Sequence, residues 1–238
     1  GDTLVKTFTY AYDAKYAVKT NKVETDGQTY DVDKITYKMV DDENKYDEMV
    51  ESVDIMGNVT KYDRDDNGNI TKTTNPDGTF TLANYNSKNN LTAAIDAMGY
   101  ATIKAYDKDG VRLIKEAQSL NPLSQSDINT VTAKDFNPVT YLAENESSYA
   151  ITSHEYYADS YVSGVIGLIQ KTTDPEGNIT EYDYYKSGNG KGLVSEKWVY
   201  GNGISKPEHG TRYEYNAQLH VSKETSSECY LKEYEYDK

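Results

Sequence analysis

Short runs of alternating side-chain character cover most of this chain. Asn58-Val-Thr-Lys-Tyr62, Gly68-Asn-Ile-Thr-Lys-Thr73 and Thr79-Phe-Thr-Leu-Ala83 carry the period-two signature of half-buried strands. Turn residues interrupt these runs at fixed distances. Gly57, Gly78 and Gly99 are spaced 21 residues apart, and three residues before each stands Asp54, Asn75 or Asp96. Gly68, Asn89 and Gly110 form a second ladder with the same spacing of 21. An Asp or Asn that opens such a turn accepts the N–H two residues on, Pro suits the second place, and Gly at the fourth takes the positive φ that lets an antiparallel strand resume. Asn75-Pro76-Asp77-Gly78 fills every place, Asp174-Pro175-Glu176-Gly177 repeats it, and Glu24-Thr-Asp-Gly27 is a weaker copy. The predicted unit is strand, turn, strand, turn. The predicted fold is all-β, with repeated antiparallel β-hairpins forming an extended, twisted or spiralling sheet.

A tyrosine followed by Asp or Asn precedes the second turn: Tyr62-Asp63, Tyr85-Asn86 and Tyr106-Asp107, with Tyr12-Asp13, Tyr182-Asp183, Tyr215-Asn216 and Tyr236-Asp237 as further copies. The expectation is a tyrosine at the strand end with its ring on the packed face, and an acid or amide capping the turn. The distance from Tyr62 to its glycine is two residues longer than in the next two copies, which predicts an extended turn there. The last copy is followed by a single residue, as expected of a piece of a longer array. The Gly1-Asp2 start without Met is that expected of a processed or excised chain.

The alternation fails between residues 116 and 150. Leu120-Asn-Pro-Leu-Ser-Gln-Ser-Asp-Ile128 contains a capping-type Ser124 or Ser126, so a loop-rich insertion with one short helix is expected. Three stretches follow: hairpin repeats over 1–115, an irregular insertion over 116–150, and hairpin repeats over 151–238. Gly188-Asn-Gly-Lys-Gly192 and Gly201-Asn-Gly-Ile-Ser-Lys-Pro207 replace tight turns with longer loops. Insertions at hairpin ends are where a repeat array acquires binding.

Composition sharpens this picture. The aromatic residues are 24 Tyr, 3 Phe and 1 Trp, rings that bury on one side while their hydroxyls need a partner. Only 37% of the chain is apolar, so little core is available per residue. The 39 acidic against 25 basic residues leave a net charge of −14, which argues against binding nucleic acid or anchoring on an anionic membrane. Val162 to Ile169 is the longest apolar run and falls far below a membrane span of about 18 residues. Cys229, the one cysteine, supplies neither an internal disulfide nor a cysteine zinc site.

Gly57-Asn-Val-Thr-Lys-Tyr62-Asp63, followed by Gly68-Asn-Ile-Thr71 and Asn75-Pro-Asp-Gly78-Thr79, resembles the YD repeat of the Rhs and wall-associated protein family. The resemblance is good over residues 54–115 and 167–200 and loose over 1–53 and 211–238. It implies a long strip of hairpins spiralling into a hollow shell, often around a toxic C-terminal domain, in a secreted or cell-wall-associated bacterial protein. The partners it implies are neighbouring repeats, an enclosed toxin domain or cell-wall glycans. Members that cleave themselves carry an Asp-Pro-x-Gly-Leu type motif at the end of the shell. Here Asp174-Pro-Glu-Gly177 lies mid-chain and is followed by Asn178, so no autoproteolytic role passes to Asp174.

Candidate chemistry is sparse. Asp63-Arg-Asp65-Asp-Asn67-Gly68-Asn69-Ile70 opens like a calcium loop, but its twelfth place is Thr74 where a bidentate Glu should close the sphere, so a plain turn is the better account. His154, His209 and His220 lack metal-ligand spacing, and 188–192 lacks the frame of a phosphate loop. Close acids such as Asp41-Asp-Glu43 are expected by chance in so acidic a chain. Asn58, Asn69, Asn90 and Asn178 begin glycosylation sequons, each generated by the repeat after a turn. No nucleophile, base and orienting group stand at a recognisable spacing, so no enzyme, cofactor or metal site is expected. The expected role is structural, with a carbohydrate- or cell-envelope-binding module as the alternative.

Overall fold

The computed structural model describes residues 5–12, 16–25, 28–39, 46–158, 165–226, 228 and 230–236. Gly1-Asp2, Asp13, Asp26-Gly27, residues 41–43, 162–164, Cys229 and Asp237 lie outside these. Among the described residues the fold is all-β, with 17 strands and antiparallel pairing throughout. Strands β1 (Val5–Tyr12), β2 (Tyr16–Thr25), β3 (Gln28–Met39), β4 (Tyr46–Val53), β5 (Val59–Arg64), β6 (Ile70–Thr74), β7 (Phe80–Tyr85) and β8 (Leu91–Ile95) form a meander in which each pairs with the next. β9 (Ala101–Tyr106) and β10 (Leu113–Ser119) lead to α1 (Gln125–Val131) and α2 (Pro138–Glu144). A second meander then runs from β10 through β11 (Tyr149–Tyr156), β12 (Ile169–Thr173), β13 (Ile179–Tyr184), β14 (Val194–Tyr200), β15 (Thr211–Tyr215), β16 (Val221–Thr225) and β17 (Leu231–Glu233). No described helix is long and apolar enough to cross a membrane.

The chain divides into two compact units, residues 1–102 with 121–138, and residues 103–120 with 139–238. In the first, Ala93, Ile95, Ala101 and Val131 are buried. Helix α1 starts at Ser124, whose hydroxyl accepts the Asp127 N–H at 3.2 Å and donates to the Asp127 carboxylate at 2.6 Å. At its other end the Asn84 side chain on β7 donates to the carbonyls of Val131 and Ala133, at 2.9 and 2.8 Å, which satisfies helix-end groups that have no partner within the helix. The insertion is further tied to a turn by the Leu123 N–H on the Gly99 carbonyl, 2.8 Å. Sequence reasoning expected one helix here; the Pro138 that starts α2 suits a first helical turn.

In the second unit Ile103, Ala105, Ala117, Leu142, Tyr149, Tyr157 and Val165 are buried, and the Tyr141 and Tyr149 hydroxyls meet at 3.0 Å. Clear in-and-out alternation is confined to a few strands, such as β9. In β6, β13 and β16 every residue is half-buried, as a strand covered on neither face would be. Stability in such strands has to come from cross-strand pairs and turns.

Candidate functional site

The two glycine ladders build the same turn. The backbone N–H of Gly57, Gly68, Gly78, Gly99 and Gly110 bonds back to the carbonyl of Asp54, Asp65, Asn75, Asp96 and Asp107 at 2.9–3.0 Å, and each of these glycines has φ between +72° and +88°. Asn89 and Leu219 occupy the same place with φ of 61° and 66°. The opening side chain clamps the turn: Asp54 Oδ1 accepts the N–H of Met56 and Asn58, Asp65 Oδ1 those of Asn67 and Asn69, and Asp96 Oδ1 those of Met98 and Tyr100, all at 2.8–2.9 Å. The second oxygen is used as well, by the amides of Asn58, Asn69 and Asn178 on Asp54, Asp65 and Asp174. Three of the four sequon asparagines thus have their amide engaged inside the turn. In Asn75–Gly78 the clamp moves by two places, with Asp77 holding the N–H and hydroxyl of Thr79.

The turn at Asp65–Gly68 corrects the register of the first Tyr-Asp pair. No extended turn exists; the capping acid is Asp65, not Asp63, and Arg64 stands where Tyr85 stands one unit later. What that position does explains the substitution. Tyr85 at the end of β7 donates its hydroxyl to the carbonyl of Ile70 at the start of β6, 3.2 Å away. The same bond recurs from Tyr156 to Leu113 (2.7 Å), Tyr184 to Ile169 (2.7 Å), Tyr215 to Val194 (2.9 Å) and Tyr236 to Val221 (2.8 Å). Arg64 reaches the Met49 carbonyl with Nε and Nη2, both at 3.2 Å and with the sequence separation of 15 that Tyr85, Tyr184 and Tyr236 show. Each bond ties the open end of a hairpin, opposite its connecting turn.

A β-bulge comes directly before the latch residue in the following pair of strands, at Asp63/Arg64, Asn84/Tyr85, Glu155/Tyr156, Asp183/Tyr184 and Glu214/Tyr215. A bulge disrupts the ladder locally, and the phenol supplies a donor to a carbonyl beside that disruption. Asn84 and Asp183 stabilise it by accepting the N–H of the next residue at 2.8 and 2.9 Å. Asp183 therefore serves a bulge, where the Tyr-Asp pattern predicted a turn cap. Two doublets also latch forward: Tyr157 to the Tyr182 carbonyl (2.9 Å) and Tyr185 to that of Tyr213 (2.8 Å). Edge-on ring pairs, Tyr157 with Tyr184 and Tyr185 with Tyr215, pack these residues. Burial pushes the phenol pKa of Tyr156, Tyr184 and Tyr215 up, which keeps their hydroxyls protonated as donors.

The most chemically diverse constellation is in the second unit, where residues 201–210 connect β14 to β15. Glu155, Lys171, Glu181 and Trp198 stand side by side across β11 to β14. Lys206 from the connecting loop lays its ammonium over the Trp198 ring, 3.7 Å from the centroid, and donates to Glu181 Oε2. The Tyr200 hydroxyl donates to the other oxygen, Oε1. Burial works against the Glu181 charge, yet the bonds from Lys206 and Tyr200 prevail and hold its carboxyl below the usual range. The Tyr200 phenol, bonded to that carboxylate, is pushed up to about 12. Asn202 donates to the Glu176 carbonyl at 3.3 Å and Gly210 N–H to Glu196 Oε1 at 2.7 Å, so the loop is held at both ends. Gly210 has no alternative: a Cβ there would stand 2.3 Å from the Lys197 carbonyl oxygen and 3.0 Å from the Trp198 ring. Beside this cluster, Thr172, Asp174, Asn178, Thr180, Val199, Tyr200 and Gly201 line a shallow groove of about 420 Å³.

The remaining candidates are engaged in local contacts. Asp65 has both carboxylate oxygens engaged by its turn, which leaves the 63–69 loop a poor cation site, and no group of three or more potential metal ligands occurs among the described residues. His154 is half-buried, its Nδ1 3.0 Å from Thr172 Oγ1, with burial pushing its pKa down against the pull of Glu116. His209 meets Arg212 at 2.6 Å, and His220 packs on the Tyr236 ring at 4.8 Å. The Trp198–Lys206–Glu181 contact escaped sequence reasoning; the lone tryptophan followed by a loop containing a lysine was its only trace.

No family model and no curated protein matches this chain. Among solved structures it is similar to the crystal structure of TcdB2-TccC3, with 14% identity and a TM-score of 0.31 over 97% of this chain and 15% of that one. The crystal structure of TcdB2-TccC3-Cdc42 gives 12% identity, the same TM-score of 0.31 and the same coverages of 97% and 15%. The chain thus spans about 15% of the length of those it matches, and a likeness at this level carries no conclusion about activity or partners.

Proposed function

We propose that this chain is a non-enzymatic structural segment of a large secreted or cell-surface hairpin-repeat protein of the YD type. Its work is to build a β-sheet wall or stalk that encloses or presents a C-terminal toxin or effector domain. The observation that supports this is where the tyrosine hydroxyls go. Tyr85 in the first unit and Tyr156, Tyr184, Tyr215 and Tyr236 in the second donate their hydroxyls to a backbone carbonyl at the open end of a hairpin, with Arg64 standing in once, so a recurring tyrosine holds strand to strand. A ladder repeated unit by unit is how a quasi-one-dimensional array gains stability. Acidic residues then keep the outer surface soluble.

A second reading, a carbohydrate- or envelope-binding module, is favoured by the groove beside Tyr200, where Asp174, Asn178, Thr172 and Thr180 offer polar groups next to an aromatic ring. One experiment separates the two. The folded chain is incubated with isolated cell walls and a polysaccharide panel, with a heat-unfolded sample as control, and Tyr184→Phe is measured alongside in urea. The structural reading expects no saturable binding and a loss of about 0.5–1.5 kcal/mol for the missing hydroxyl bond. Saturable binding that needs the folded chain, with no loss in Tyr184→Phe, would replace it with the second.

A further inference from the structure

We propose that Glu181, Tyr200 and Trp198 form a binding site for a primary alkylammonium group of the kind a lysine side chain carries, and that the chain's own Lys206 occupies it. The three receptor groups come from β13 and β14, which fix them in register, whereas the occupant comes from the loop at 201–210. Across β11 to β14 the row Glu155, Lys171, Glu181 alternates in sign, and the position that would continue it with a cation holds Trp198 instead. An indole face next to a carboxylate is a receptor for an ammonium ion: the π cloud attracts the charge and the carboxylate takes its N–H. Tyr200 fixes that carboxylate by occupying Oε1, which leaves Oε2 for the cation.

Two further observations bear on this cluster. The Glu181 side chain keeps 23% of its surface in solvent and Lys206 40%, so the pair is open enough to exchange its amine. The indole N–H of Trp198 is buried with no acceptor among the described residues, a cost that an arrangement chosen for stability alone would avoid. The loop stays attached without Lys206, because Asn202 and Gly210 hold its two ends. Departure of Lys206 would therefore open the site while leaving the strands that build it in place. A tethered lysine acts at an effective concentration in the millimolar range, so an external amine competes poorly until Lys206 is withdrawn.

Trp198 is the sole tryptophan and reports on the site directly. Lys206→Ala is titrated with Nα-acetyl-lysine methylamide, with sodium chloride and tetramethylammonium chloride at matched ionic strength as controls, and Trp198 fluorescence is read. The proposal expects a saturable change with the lysine derivative only, at least about tenfold weaker in the parent chain and abolished in the Glu181→Gln/Lys206→Ala double variant. A folded Lys206→Ala that responds to the lysine derivative no differently than to sodium chloride would overturn it, as would a response that survives Glu181→Gln or one stronger with tetramethylammonium, which has no N–H to give. Glu181→Gln alone is an independent check: it should free Lys206 and shift the Trp198 emission, and an unchanged spectrum would also overturn the proposal.

Discussion

The hairpins β6–β7 and β14–β15 are built on the same plan and closed in different ways. In the first, four residues, Asn75 to Gly78, turn the chain; in the second, ten residues do so, with Asn202, Lys206 and Gly210 each fastened to a different strand or turn. At the far end the two are alike: Tyr85 bonds the Ile70 carbonyl and Tyr215 that of Val194. β10–β11 goes further, since residues 120–148 with both α-helices replace its turn, and Tyr156 still bonds Leu113. The lesson is that register is held at the open end, by a side chain, and the closed end is then free to grow.

This comparison can be broken experimentally. If the latch is a shared device, Tyr85→Ala and Tyr215→Ala should each lower unfolding free energy by about 2–3 kcal/mol, less than the roughly 3–5 kcal/mol for a fully buried aromatic side chain because both rings are half-buried. Urea denaturation showing a full loss for one and almost none for the other would mean that the long loop has taken over the role. Next in size is Gly210→Ala, which must displace the Lys197 carbonyl or the indole and should cost about 1–3 kcal/mol by overpacking. Gly78→Ala meets open space and suffers only its positive φ, worth about 1 kcal/mol. A thermal-melt ranking in the reverse order would show that the long loop is the more forgiving of the two.

Leu219→Gly sharpens the same contrast within the tight turns. Leu219 adopts φ of 66° at a place where most units use glycine, and relieving that strain should raise stability by about 1 kcal/mol in calorimetry. The smallest effect is in pH dependence. The Tyr200 pKa, pushed up to about 12, lies above its value in an unfolded chain, so the Tyr200–Glu181 bond contributes fully below about pH 10 and is lost as pH rises through about 12. Glu181, held below its usual range, contributes above about pH 4.3 and loses that contribution as pH falls further. Trp198 fluorescence should therefore be flat at neutral pH and move at both extremes. The β6–β7 turn, clamped by Asp77, should weaken only in acid.

The turns were legible in the sequence because their chemistry is local: an Asp and the N–H groups it accepts lie within four residues. Ser124 was legible as a helix cap for the same reason. The latches were not, because Tyr215 and Val194 meet across a loop whose length the sequence does not constrain, and the hydroxyl's partner is a backbone carbonyl with no residue-type signature. Arg64 shows the cost of reading a motif by its letters. Tyr62-Asp63 matched the pattern, while the position two residues on carried the structural role in a different side chain. The Glu181–Lys206 contact joins a strand to a loop 25 residues away, and only the folded register brings them together.

The latch at the open end has a mechanical consequence. A hairpin pulled by its two free ends unzips from those ends, where load concentrates on one rung at a time. β6–β7 and β12–β13 have three residue pairs each and, at that loaded end, a tyrosine bond set apart from them. Tension must therefore break the side-chain bond before it reaches any rung. Once that bond fails, the short ladder behind it offers little resistance, so under force such a strip should yield in whole-hairpin steps.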